Sequence, residues 1–184
     1  MSLPYKFQTK HTLFVLLILT PFLFYSQSDI GSQSHKTIAL SYMEAYGDWD
    51  FDTMKTFYAE NIHFEDPTGS EVFNQKFDFN GIKEVYNFFR GVFKNGFENE
   101  RPPYVDFRIE KVFESGSFII INSTFECQLP NAWFKEPSSE RILISIPFLT
   151  ILQIENGKII SHTDYGGYDS YMKQIQAQIT NNKE

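Results

Sequence analysis

The dominant hydrophobic period of this chain changes near Val105, and that change limits the folds open to it. Before it, apolar residues recur every three or four positions: Ile38, Tyr42, Ala45 and Tyr46, then Met54, Phe57 and Tyr58, then Ile82, Val85, Phe88, Phe89 and Val92. Such spacing lines one face of a helix. After it, apolar residues alternate through Val105–Phe113, Phe118–Gln128, Arg141–Ile154 and Lys158–Tyr165, the period of strands that bury one face. Glu114-Ser115-Gly116 and Glu155-Asn156-Gly157 are hairpin turn sequences. Helices first and long hairpin strands afterwards predict an α+β fold. The expected architecture is an antiparallel sheet with helices on one face, enclosing a pocket if the sheet curls.

Caps refine the helical half. Ser34 can cap a helix over about His35–Tyr46, ended by Gly47, and Asp50 or Asp48 a second over Phe51–Ala59. Asn80 caps a third, Gly81–Phe93, whose Phe89 belongs to its apolar stripe. Glu71–Asn80 reads as a short strand or an irregular loop, Lys94–Tyr104 and Leu129–Glu140 as loops, and Ser170–Thr180 as a terminal helix.

The first residues are of another kind. Lys6, Lys10 and His11 precede the apolar run Thr12–Phe24, and a serine-rich polar stretch follows. That is the order of a secretory signal peptide, expected over residues 1–26. A retained membrane anchor is the alternative. Residues 27–36 form a polar lead-in, 37–175 the folded domain and 176–184 a tail. Export to a periplasm or to the outside is expected, with no membrane association after cleavage. The whole chain has net charge −7, and the segment before Gln27 contributes only lysines, so the remainder is more acidic still. An acidic body repels nucleic acid and anionic lipid. Cys127 is the single cysteine, which excludes an intramolecular disulfide framework. Twenty Phe and ten Tyr can build the core, and they also suit an apolar cavity for a small molecule.

The stretch Asn61–Ser70, NIHFEDPTGS, carries the clearest chemical signal. Ile62, Phe64 and Asp66 alternate onto one face, His63 and Glu65 onto the other. Asp66 therefore ends a strand on an apolar face, where an ionised carboxylate is costly and its pKa rises. It is a candidate acid or base, or else it braces the Pro67-Thr68-Gly69 turn. On the last strand, Ile160, His162 and Asp164 share a face. A His162–Asp164 or His162–Asp66 pair is a candidate proton relay. Trp133 and Phe134 lie in the long loop, as a lid over the pocket or as a contact on a second copy. HExxH, CxxC, GxSxG and glycine-rich phosphate motifs do not occur, so neither metal nor cofactor is expected.

Three segments in order, SYMEAYGDWDFDTMKTFYAENIHFEDPTG, FNGIKEVYNFF and LQIENGKIISHTDYGGYD, resemble the SnoaL-like branch of the NTF2-like superfamily. The resemblance covers about Thr37–Gln174. It implies an NTF2-like cone, a curved antiparallel sheet with N-terminal helices enclosing a pocket, and a homodimer as the usual assembly. Ketosteroid isomerases, polyketide cyclases and epoxide hydrolases share this fold. Tyr42 and Asp66 match the isomerase pattern of a helix tyrosine that holds a substrate oxygen and a strand-end base. The second acid of those isomerases has no match in Pro147–Ile151. His162-Thr163-Asp164-Tyr165 is similar to the last-strand acid segment of the epoxide hydrolases. Glu126 corresponds to the acid of their Arg-x-Asp pair, with Thr124 in place of the arginine. The resemblance thus implies catalysis by Asp66, His162, Asp164 and Tyr42. Phe64, Phe89, Glu126 and Trp133 would contact a small apolar substrate, and the reaction would be cofactor-free proton transfer. A non-catalytic binding or dimerisation module is the alternative.

Overall fold

The computed structural model describes residues 33–97, 104–130 and 141–181. The expected signal peptide and Trp133 lie outside them. The element order is α1 (His35–Gly47), α2 (Phe51–Thr56), β1 (Tyr58–Glu65), α3 (Pro67–Phe73), β2 (Asp78–Asn80), α4 (Ile82–Phe97), β3 (Val105–Ser115), β4 (Phe118–Pro130), β5 (Arg141–Glu155), β6 (Lys158–Gly166) and α5 (Tyr168–Asn181). Among these residues no helix is long and apolar enough to cross a membrane.

The described strands form one curved six-stranded sheet in the order β2-β1-β6-β5-β4-β3. The alternation that marks β5 in sequence is visible in its burial: Ile142, Ile144, Ile146, Phe148, Thr150, Leu152 and Ile154 point inward. Ile119, Ile121, Ser123 and Cys127 of β4 join them on that face. Helix α1 buries Ile38, Ala39, Tyr42, Met43, Ala45 and Tyr46 in the same core. Burying each large side chain contributes about 1.5–3 kcal/mol, which is what seats the helices on the sheet.

All strand pairs are antiparallel except β1 and β6, which run parallel with Phe64 opposite His162 and Glu65 opposite Thr163. The sheet is therefore mixed where alternation alone predicts antiparallel pairing throughout. The parallel pair brings the ends of both strands to the same edge of the sheet. One step beyond Glu65 and Thr163 come Asp66 and Asp164.

Other boundaries differ for nameable reasons. Helix α2 stops at Thr56 rather than Ala59, because the chain is captured by the sheet: Ile159 N donates to Phe57 O at 2.8 Å and Tyr58 pairs with Ile159. The Pro67-Thr68-Gly69 segment is the first turn of a short helix, with Asp66 as cap, Pro67 at its first position and left-handed Asn74 at its end. Helix α4 runs to Phe97, beyond the expected end at Phe93.

Candidate functional site

Asp66 holds two positions at once. As the cap of α3, its Oδ1 accepts hydrogen bonds from Gly69 N (2.7 Å) and Thr68 Oγ1 (2.9 Å). Its Oδ2 accepts one from the Tyr168 hydroxyl at 2.6 Å. A Cβ at position 69 would sit 2.8 Å from Asp66 Oδ2 and 2.9 Å from Phe77, so glycine is what allows this approach. Despite its capping role, the residue is only 5% exposed and lines a pocket. Burial raises its pKa above the ordinary carboxylate value; the Tyr168 and Gly69 hydrogen bonds oppose that rise, and nearby Asp164 adds to it. The base and turn-brace readings of Asp66 are thus compatible.

Asp164, 1% exposed, is held from β5 and α1. Thr150 Oγ1 donates to its Oδ1 at 2.7 Å, and the Tyr46 hydroxyl to its Oδ2 at 3.2 Å. His162 Nε2 lies 2.9 Å from Oδ1 without making a hydrogen bond to it, so that contact is one of close packing. The other ring nitrogen, Nδ1, is 2.8 Å from the Tyr42 hydroxyl, which is 2.9 Å from the Tyr58 hydroxyl. The Tyr42 hydroxyl thus bridges His162 Nδ1 and the Tyr58 hydroxyl. This buried chain stops at His162, whose Nε2 lies beside Asp164 without a hydrogen bond to it. Burial, reinforced by the neighbouring carboxylates, holds the hydroxyls of Tyr46 and Tyr168 well above their usual pKa, so both remain donors.

The pocket has a volume of about 190 Å³. Its wall is mostly aromatic, with Phe64, Phe89, Phe107 and Phe148 among the lining rings, and both Asp66 and Asp164 reach it. Cys127 also faces it, its thiol pushed up to about 12 by burial. Trp49 contributes its ring from an unusual backbone. Trp49 N bonds Tyr46 O and Asp50 N bonds Ala45 O, closing α1 with a left-handed residue at φ 52°. That position normally takes glycine. An aromatic residue there is strained and faces the pocket. No group of ligands able to hold a metal occurs among the described residues.

The structure thus assembles Asp66, Asp164, Phe64 and Phe89 at one pocket. Tyr42 and His162 are not on its wall. Both are 0% exposed and are engaged with each other, so the expected contact of Tyr42 with a substrate oxygen is corrected. Its neighbour one turn on, Tyr46, lines the pocket instead. His162 is packed behind the wall, edge-on to Phe64 at 4.9 Å between centroids. Glu126 lies outside the pocket, on the outer face of β4, engaged by Tyr104, Arg108 and Ser145. Its placement as a substrate contact is corrected too, because even-numbered positions of β4 point away from the core. Tyr46, Trp49, Thr150 and Tyr168 are the residues that sequence reasoning missed. For Tyr168 a signal existed: Cβ atoms at positions 166 and 167 would lie 2.6 Å from its ring and 2.9 Å from Pro147. Gly166-Gly167 therefore marks a close approach.

The SnoaL-like domain family model matches residues 39–162. No functionally curated protein matches the sequence. Among solved structures, a candidate SnoaL-like polyketide cyclase from Shewanella putrefaciens is similar at 22% identity and TM-score 0.64, over 80% of this chain and 99% of that one. An NTF2-like protein of unknown function from Burkholderia pseudomallei is similar at 17% identity and TM-score 0.61, over 78% and 98%. An LEH-like epoxide hydrolase from M. tuberculosis is similar at 12% identity and TM-score 0.58, over 78% and 90%. At these identities the likeness shows the fold.

Proposed function

The chain belongs to the SnoaL-like domain family, and from that premise we propose that it binds a small, largely apolar molecule in the aromatic pocket and moves a proton on it. The observation that carries this reading is the pair of buried carboxylates, Asp66 and Asp164. They sit at the ends of parallel neighbouring strands, both on the pocket wall, and each holds a tyrosine hydroxyl. Asp66, with its raised pKa, serves as the base or acid at a carbon beside a carbonyl. Asp164 takes the complementary role, steadied by Thr150 and Tyr46, with His162 packed beside it. Isomerisation, cyclisation and dehydration are all within this chemistry, and it needs no cofactor.

The test combines a thermal-shift screen of apolar ketones, sterols and polyketide-like compounds with exchange of ligand carbon-bound hydrogen against deuterated water. A ligand present at a hundred times its Kd stabilises by about 2.7 kcal/mol. A hit whose exchange is lost in Asp66→Asn and Asp164→Asn supports the reading. A hit that binds but never exchanges leaves a binding protein. That second reading is favoured by one observation: Asp66 Oδ1 is already occupied as the cap of α3.

The proposal extends to place and assembly. The Thr12–Phe24 run suits an export signal, and an intact mass lacking about 26–28 N-terminal residues would support it. Phe113 and Ile120 are paired on the outer face of the sheet, next to Ile151. With exposed Leu143 they offer a surface for a homodimer, which sedimentation would detect.

A further inference from the structure

The pocket wall holds two buried carboxyl groups, and the basic group beside them, His162, sits behind the wall with its Nε2 2.9 Å from Asp164 Oδ1. Asp66 is 5% exposed, and the donors Thr68, Gly69 and Tyr168 that meet its carboxyl group are all neutral. Asp164 stands on the same wall, and the lining contains no Lys, Arg or His among the described residues. A carboxylate sequestered in this way is stable when it is protonated or when a cation joins it. The rest of the wall suits the second outcome. Lining rings meet at steep angles, Tyr46 on Phe89 at 74°, Phe107 on Phe148 at 63° and Phe73 on Tyr168 at 69°. The pocket is thus boxed by rings turned in several directions, and aromatic faces attract organic cations. The hydroxyls of Tyr46 and Tyr168 already donate to the carboxylates, so they are poorly placed to hold a ligand anion. The net charge of −7 favours approach of a cation in the same sense.

We propose that the ligand of this pocket is a small organic cation, an alkylated ammonium on a compact apolar body, held between the aromatic wall and the Asp66 and Asp164 carboxylates. The inference rests on the pocket being a ligand site, and it narrows the class of ligand. A volume of about 190 Å³ limits the occupant to a compact molecule. Ligands bearing a carboxylate or phosphate are excluded by like charge.

The probes are choline and its uncharged isostere 3,3-dimethylbutan-1-ol, titrated calorimetrically into the full chain at pH 7.5. Choline is expected to bind at least about tenfold more tightly. The preference should shrink as pH falls and Asp66 takes up its proton, and Asp66→Asn should reduce it to within about threefold. The wild-type ratio and its pH dependence carry the test even where the variant fails to fold. Equal or tighter binding of the alcohol overturns the cation inference and leaves the pocket as a site for neutral ligands. Binding of neither probe overturns it as well. If the neutral ketone and sterol panel then also fails to bind, the ligand-binding reading falls with it.

Discussion

The Tyr168 hydroxyl donates to Asp66 Oδ2 at 2.6 Å, joining the first turn of the last helix to the end of the first strand across 102 positions of sequence. This bond favours the ionised form of Asp66 and partly offsets the effect of burial. Tyr168→Phe removes the donor and leaves the ring in place. The expected cost is about 1–3 kcal/mol, growing as pH rises and Asp66 ionises and shrinking under acid conditions. Urea unfolding of the variant at several pH values checks both the cost and its trend.

Asp66→Asn separates charge from capping. Asparagine caps helices about as well as aspartate, so α3 should persist. Because the folded pKa of Asp66 lies above its unfolded value, the native state binds the proton more tightly than the unfolded chain. Its contribution to stability is then present at low pH and is lost as pH rises through the folded pKa. The variant should lack that decline and gain stability relative to wild type above the ordinary carboxylate range, while losing proton transfer. Thermal unfolding from pH 4 to 8 gives the sign; a variant that is less stable at every pH contradicts it.

His162 and Tyr42 act as a unit behind the pocket wall. His162→Phe and Tyr42→Phe should each destabilise by about 1–3 kcal/mol, since each leaves a buried polar atom short of a partner. The double variant should cost less than the sum, by about 0.5–2 kcal/mol. Additive costs from denaturant titration would show that the contact carries no coupling.

Trp49 faces the pocket from a left-handed backbone. Replacing it by glycine removes the ring and also the backbone strain, whereas alanine removes only the ring. Trp49→Gly should therefore be more stable than Trp49→Ala by about 1 kcal/mol, although both enlarge the pocket. Comparison of their unfolding midpoints measures the strain directly.

Much of the fold was legible because its signals are local. Ser34 and Asp50 cap the helices their neighbours begin, and the alternation of β5 reports its own buried face. The placement of Asp66 followed from the same kind of reasoning, since Ile62, Phe64 and Asp66 are buried together. Asn61–Ser70 offered the turn-bracing role that the cap of α3 realises, but had no way to reveal the bond to Tyr168.

By itself, the sequence determined most of the helices and long strands, the inward face of β5 and the family, because period, caps and motif order are read within short windows of chain. Tertiary structure decided the rest. The parallel pairing of β1 with β6 set Asp66 beside Asp164, and the seating of α1 sent Tyr46 rather than Tyr42 to the pocket. The return of α5 delivered Tyr168. Each depends on contacts between residues far apart in the chain, and packing of whole elements, rather than any local pattern, selects which of them form.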